Sequence, residues 1–473
     1  MTGEGEHGCA TVRGLAQVRR IRQRPFTIPG HKRRGGLIDP ALGRLLDADV
    51  PLYGGADTVK MTTRVLGDAE RRAAALWGAD LCLFTTQGST HANVVTVLAT
   101  CRPGVPVAVA RNCHRSVLSG VALAGARPVW LPIETDPITG VQLGVAPATL
   151  DAALRDHPDV SAVFLTDPSY RGSIGQLSEL IDRAHQADVP VVVDQAWGAH
   201  LGLAPGVPRH ALQRGADAMV TSAHKMLPAF SQAALILTRG DRIDPDRVHR
   251  AFDATHTTSP SAAILASIDV SRAWLAAPEG RAAIARVSSS VAEARERLRS
   301  AGFSCPGPDD FPSDHFDPLK LTVGFAGGGS GNAAEEELLH RGMPVEMADR
   351  DVLIAQVGLL DDREVLTRLV DGIIAGAGSL PPRPVVLPTF PIPPADLTPG
   401  EAFAADYVTL PLAEAIGCTS AELVAPYPPG VAVIVPGERV TSETVDALLT
   451  ARAAGNRIAY AADPTLATLQ VVA

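Results

Sequence analysis

Lys225 lies in Thr221-Ser222-Ala223-His224-Lys225, directly after a short apolar run and among small polar neighbours. Most lysines are solvated surface charges. One held where the chain is locally poor in other charge can be partly desolvated and act as the amine that forms a Schiff base with a carbonyl. Asp194 closes the apolar run VPVVVD and is followed by Gln195, Ala196 and Trp197. A carboxylate ending a buried strand is costly unless paired, so it either caps a neighbouring loop or meets a cationic ligand atom. Gly88-Ser89-Thr90 follows a third apolar run and opens a helical pattern. The plain reading is a turn with an N-cap; the sharper one is an anion site, where free helix N–H groups and two hydroxyls converge. His114, in Arg111-Asn112-Cys113-His114-Arg115-Ser116, follows a fourth run. On its own it reads as a hydrogen-bonded loop imidazole.

The elements around these residues repeat one rhythm between Leu81 and Leu237. Apolar runs at Leu81–Thr85, Pro106–Ala110, Pro128–Leu131, Ala162–Thr166, Val189–Asp194, Ala218–Thr221 and Ala233–Leu237 predict strands. The intervening Thr90–Thr100, Arg115–Ala124, Pro147–Arg155, Leu177–Ala187 and Arg209–Arg214 predict helices. Continuous apolar strands alternating with helices indicate an α/β fold with a mostly parallel sheet covered on both faces. Ligands in such sheets bind at the strand C-terminal ends, where all four polar stretches stand. A phosphate cradle, an acidic partner for a pyridinium nitrogen, a lysine for an aldehyde and an imidazole on one edge are what pyridoxal 5'-phosphate (PLP) requires.

Other features narrow the class. A length of 473 residues predicts several domains. With 46% hydrophobic and 20% charged residues and a net charge of -9, the chain should fold, and it suits neither a nucleic-acid nor an anionic-membrane binder. The six cysteines form no C-x-x-C pair, the first 24 residues have no apolar signal core, and no apolar run approaches the roughly 20 residues of a membrane span. A soluble protein of a reducing cytoplasm is expected. Gly327-Gly328-Gly329-Ser330-Gly331 fits neither dinucleotide-loop nor P-loop spacing and reads as a plain turn. No carboxylate spacing suggests a metal. The expected organisation is an N-terminal segment (1–50), a large cofactor domain (51–258), a small α+β domain (259–380), a proline-rich linker (381–400) and a C-terminal domain (401–473). Within the small domain, helix over Ser261–Ser300 should break at Pro278 and Gly280.

The motifs in combination resemble the PLP-dependent ornithine/lysine/arginine decarboxylases of fold type I, particularly their shorter bacterial members. The matching stretches run in order along nearly the whole chain: IPGHKRRGG (28–36), TTQGSTHAN (85–93), RNCHRSV (111–117), LTDPSYRG (165–172), VVVDQAWGAH (191–200), SAHKMLPAFSQ (222–232), VEMAD (345–349), AELVAPYPPG (421–430) and VPGE (435–438). The resemblance implies that Lys225 bonds the cofactor aldehyde, Asp194 pairs with the pyridinium nitrogen, His114 stacks on the ring and Ala196 packs its other face. It implies that Ser89, Thr90, Ser222 and His224 hold the phosphate and that Trp197 walls the site. It also implies a homodimer or higher homo-oligomer with shared active sites, with the IPGHK stretch reaching toward a partner's site. One departure stands out: where relatives carry an acidic, glycine-containing stretch, this chain has Asp57-Thr58-Val59-Lys60-Met61-Thr62-Thr63-Arg64. Asp167 and Gln195 are smaller variations. The expected activity is decarboxylation of a basic amino acid; the alternative is another PLP reaction, by an aminotransferase, lyase or oxidative deaminase, on a modified amino acid.

Overall fold

Alternate residues of the central strands face opposite ways, and both faces are apolar. Val107, Val109, Val192 and Ile236 pack into one buried cluster, while Ala108, Ala110, Val191, Val193, Leu235 and Leu237 pack into another. A sheet greasy on both sides must be covered on both sides. The computed structural model describes residues 28–32, 34–46, 49–50, 64–136, 140–383, 391–427 and 430–473. The variant stretch at 57–63 lies outside the described residues, as do most of the N-terminal segment and part of the proline-rich strap.

Seven strands form the large sheet: β1 (Leu81–Thr85), β2 (Pro106–Ala110), β3 (Arg127–Leu131), β4 (Val163–Thr166), β5 (Val191–Asp194), β6 (Ala218–Ser222) and β7 (Ala234–Thr238). Their spatial order is β1-β7-β6-β5-β4-β2-β3. Only β7 runs against the others, pairing antiparallel with both β1 and β6. The mostly parallel α/β layout is therefore as expected, with one reversed strand. Helices Gly88–Thr100, Arg115–Ala124 and Pro245–Thr255 cover one face, and Val65–Trp77, Leu177–Gln186 and Ala262–Ala276 cover the other.

Two boundaries depart from expectation for local reasons. The segment expected as a helix over Arg209–Arg214 is a single 3-10 turn, Ala211–Arg214. His210 caps its start through Gln213 N, and Gly215, at φ +105°, stops it. The long helical pattern breaks at Ala277, whose backbone is extended because Pro278 follows, and a second helix runs over Pro278–Ser300. Gly280 lies inside that second helix, where an added Cβ would meet the Trp274 carbonyl oxygen at 2.2 Å.

The smaller unit is a three-stranded antiparallel sheet in which Val352–Gln356 lies between Lys320–Gly324 and Met347–Ala348. Beyond the strap, Tyr407–Pro411 pairs with Thr468–Val472 and Ala425–Tyr427 with Arg457–Ala459, around their own core of Val433, Ile434 and Leu448. This C-terminal unit is locked to the large sheet by a buried ion pair. Both terminal guanidinium nitrogens of Arg111 reach Glu438, at 2.6 and 2.9 Å, and a further bond goes to the Val433 carbonyl. Among the described residues no helix is long and apolar enough to cross a membrane.

Candidate active site

A cavity opens at the C-terminal ends of the parallel strands, and residues from all three units line it. Its floor is Asp194, the last residue of β5, which is 4% exposed. Asn93 donates to Asp194 Oδ2 at 2.7 Å, and the Ala196 amide donates to Oδ1 at 3.1 Å. Asn93 also donates to Ser116 Oγ at 2.9 Å, and that hydroxyl lies 2.7 Å from His114 Nδ1. His114 is the N-cap of Arg115–Ala124, with Ser116 N donating to its ring. Burial lowers its pKa against the pull of Asp194, so a neutral ring is favoured.

Lys225 stands in the four-residue helix Ala223–Met226 that follows β6. Its Nζ is 4.0 Å from the centroid of the Trp197 ring. Burial lowers its pKa as well, with Asp194 and Glu346 opposing. Ser222, at the end of β6, donates to Ser89 Oγ at 2.9 Å, which joins two of the expected phosphate residues at the start of Gly88–Thr100. Gly88, at φ +72°, makes the turn into that helix.

Of the residues expected from sequence, Ser89, His114, Asp194, Ala196, Trp197 and Lys225 line one cavity. Ser222 sits just behind Ser89. Thr90 is exposed, and neither it nor His224 lines the cavity; the His224 ring is bonded to the Ala233 carbonyl at 2.9 Å.

Other wall residues had no role assigned from sequence. Tyr170, Glu346 and Tyr427 meet at the mouth, where Tyr170 OH donates to Glu346 Oε1 at 3.1 Å and lies 3.1 Å from Tyr427 OH. Tyr460 joins them from the C-terminal unit. Lys320, 4% exposed, lies behind the wall with its Nζ 4.0 Å from Trp197 and 5.2 Å from Tyr170. Tyr170, Glu346 and Tyr427 fall within the motif stretches LTDPSYRG, VEMAD and AELVAPYPPG, which was the available signal. Tyr460 and Lys320 had none. Gly172 records the close approach of Lys320: its φ is +102°, and an added Cβ would meet Lys320 Cβ at 2.6 Å.

These residues suit a polar ring ligand with an anionic tail. Asp194 is a buried carboxylate with no cation in salt-bridge range among the described residues, the situation a protonated ring nitrogen would relieve. Thr166, Asn112 and Gln142 line the same cavity, and their buried Oγ1, Oδ1 and Nε2 atoms have no hydrogen-bond partner among the described residues. Fold and floor together define a fold type I PLP enzyme, and the described residues fit that cofactor. The fold is shared with lysine decarboxylase A from Pseudomonas aeruginosa, at TM-score 0.84 and 19% identity over 99% of this chain and 81% of that one. It is shared more distantly with the serine palmitoyltransferase of S. paucimobilis with bound PLP, at TM-score 0.54 and 16% identity over 67% and 77% of the two chains.

The chain matches the Orn/Lys/Arg decarboxylase major domain over residues 11–317 and the C-terminal domain of the same family over residues 390–458. It belongs to the Orn/Lys/Arg decarboxylase family. It is 31% identical over 465 residues to the arginine decarboxylases of Halalkalibacterium halodurans and Bacillus subtilis, covering 94% of this chain and of each relative.

Proposed function

We infer that the protein is a PLP-dependent decarboxylase that converts a basic amino acid to its amine and carbon dioxide. The observation that carries this reading is the convergence of Lys225, Asp194 and His114 on one cavity in a chain of this family. When bound, PLP supplies an electron sink for the pair released as the Cα–carboxylate bond breaks. Lys225 would hold it by its aldehyde carbon, and Ser89 with Ser222 would hold its phosphate at the helix start. The Asp194 carboxylate, fixed from two sides by Asn93 and Ala196 N, would keep the ring nitrogen protonated. The neutral His114 imidazole offers a flat partner for the ring. Lys225 in its ammonium form would return a proton to the substrate Cα, a proton that burial, by lowering the pKa, makes easier to release, with a protonated His114 as the other candidate donor. Tyr427 and Val431, from the C-terminal unit, line the mouth and keep bulk water from the reacting carbon.

The measurement is product analysis after incubation with arginine, lysine and ornithine. Carbon dioxide with agmatine, cadaverine or putrescine supports the reading; a keto acid, aldehyde or oxygen consumption in their place overturns it. Arginine is tested first, given the 31% identity to arginine decarboxylases. We further propose a homodimer or higher homo-oligomer with shared sites, read by light scattering on the purified protein. A cytoplasmic setting is proposed as well, which suits the five described cysteines, all of them free.

A further inference from the structure

Glu346 is the wall residue to which neither the cofactor nor the fold gives a task. It stands just before the short strand Met347–Ala348, exposed, on the side of the cavity where the mouth opens. Among the described residues no lysine, arginine or histidine lies within salt-bridge distance of it. Its hydrogen bond comes from Tyr170 OH at 3.1 Å, which leaves most of the carboxylate's acceptor capacity unused. The rings around it form a box: Tyr170 meets Trp197 edge to face at 5.3 Å between centroids, and Tyr427 lies tilted at 6.2 Å from Tyr170. Burial raises the pKa of both tyrosines, so their phenols stay protonated and act as donors.

A pocket of aromatic faces ending in a carboxylate selects by charge. An anionic side chain is repelled by Glu346, and a neutral apolar one desolvates the carboxylate without replacing its lost hydration. A cation compensates the carboxylate and is attracted to the ring faces. Lys320 does not take that place. It is buried behind the rings, and its Nζ donates to Gln356 Oε1 at 3.4 Å. Lys225, at the other end of the box, is set against Trp197 at the floor. A substrate with its α-carbon near Lys225 would therefore extend its side chain along Trp197 and Tyr170 toward Glu346.

We propose that Glu346 is the specificity-determining residue that reads the cationic end of the substrate side chain, with Tyr170, Tyr427 and Trp197 supplying the faces along which the stem lies. The assignment rests on the decarboxylase reading above and names which residue enforces its basic substrate class. The test compares the wild-type holoenzyme with Glu346→Gln, a near-isosteric change that keeps an acceptor for Tyr170. Substrates are arginine, lysine and citrulline, whose ureido group is a neutral counterpart of guanidinium. Calorimetry with agmatine and cadaverine gives binding without turnover. The expected result is a KM for the basic substrate, and a Kd for its amine, raised about 10- to 100-fold, with kcat within a few-fold. The preference over citrulline should shrink by a similar factor, and Tyr170→Phe should shift KM only a few-fold. Unchanged KM and Kd in Glu346→Gln, beside an active wild type, overturn the role of Glu346. A wild type that releases carbon dioxide from no basic amino acid overturns the decarboxylase reading instead.

Discussion

At the floor of the cavity Asp194 is 4% exposed and is held by a side-chain amide and a backbone amide; at the mouth Glu346 is exposed and takes one bond, from a tyrosine. The floor is assembled from loops that follow β1, β2, β5 and β6, all at one end of one sheet. The mouth is assembled from a loop after β4, the edge of the small sheet and the C-terminal unit. The difference separates two tasks. The chemistry common to a class of enzymes sits where a single sheet fixes it rigidly, and selection of the substrate sits where three units meet.

The largest effect should come from the floor. Lys225→Ala is expected to abolish turnover and the visible absorbance of the bound cofactor, and retained turnover would place the reaction elsewhere. Asp194→Asn keeps the shape of the floor and one of its two acceptor oxygens and removes its charge. Its kcat should fall about 10³-fold, equivalent to about 4 kcal/mol of barrier, while the protein still binds PLP as judged by its spectrum. A kcat within tenfold of wild type would show that the charge is not what the floor contributes.

The joint between the regions gives the next prediction. The Arg111–Glu438 pair is 1% and 2% exposed at its side chains. Glu438→Gln leaves a buried guanidinium without its counter-charge, and urea unfolding should show a loss of about 3–5 kcal/mol. A change below 1 kcal/mol would mean that the C-terminal unit is held by other contacts.

Lys320, between floor and mouth, gives the smallest effect and a pH signature. Burial pushes its ammonium from the usual 10.5 down to about 8. Below pH 8 the folded and unfolded chains both carry this proton, and the folded state bears the full cost of burying it. Between about 8 and 10.5 the folded form has shed the proton while the unfolded chain keeps it, so stability rises with pH. Lys320→Met should be about 3 kcal/mol more stable than wild type below pH 8, a gap that closes by pH 10.5. A gap independent of pH would assign the effect to packing alone.

The floor was legible in the sequence because each of its residues directly follows an apolar strand, and the C-terminal edge of a parallel sheet brings such residues together. Val191–Asp194 and Ala218–Ser222 are neighbours in the sheet, so Asp194 and Lys225 had to be near each other once the sheet formed. The reversed direction of β7 was not legible: Ala-Leu-Ile-Leu-Thr is equally apolar whichever way it runs. The mouth was hidden for a different reason. Tyr170, Glu346 and Tyr427 stand in motif stretches that gave them no role, and Tyr460 stands in none: it lies in a unit that reaches the cavity only by docking, where no local pattern distinguishes a docked tyrosine from a solvated one. Lys320 was masked by its place in an apolar strand. Thr90 and His224 were identified by motif, yet which residues of a motif face the cavity depends on helix phase and on competing bonds, such as that of His224 to Ala233.

The Arg111–Glu438 pair also has a bearing on biosynthesis. Its members are 327 residues apart in the chain. At 5–20 residues per second, Glu438 leaves the ribosome roughly 15–65 s after Arg111. In the later part of that interval all seven strands of the large sheet have been synthesised while the loop carrying His114 still lacks its anchor. Until the last unit docks, the cavity lacks the wall supplied by Tyr427, Val431 and Tyr460, so a nascent chain folded to that point would present Lys225 at a cavity whose mouth is incomplete.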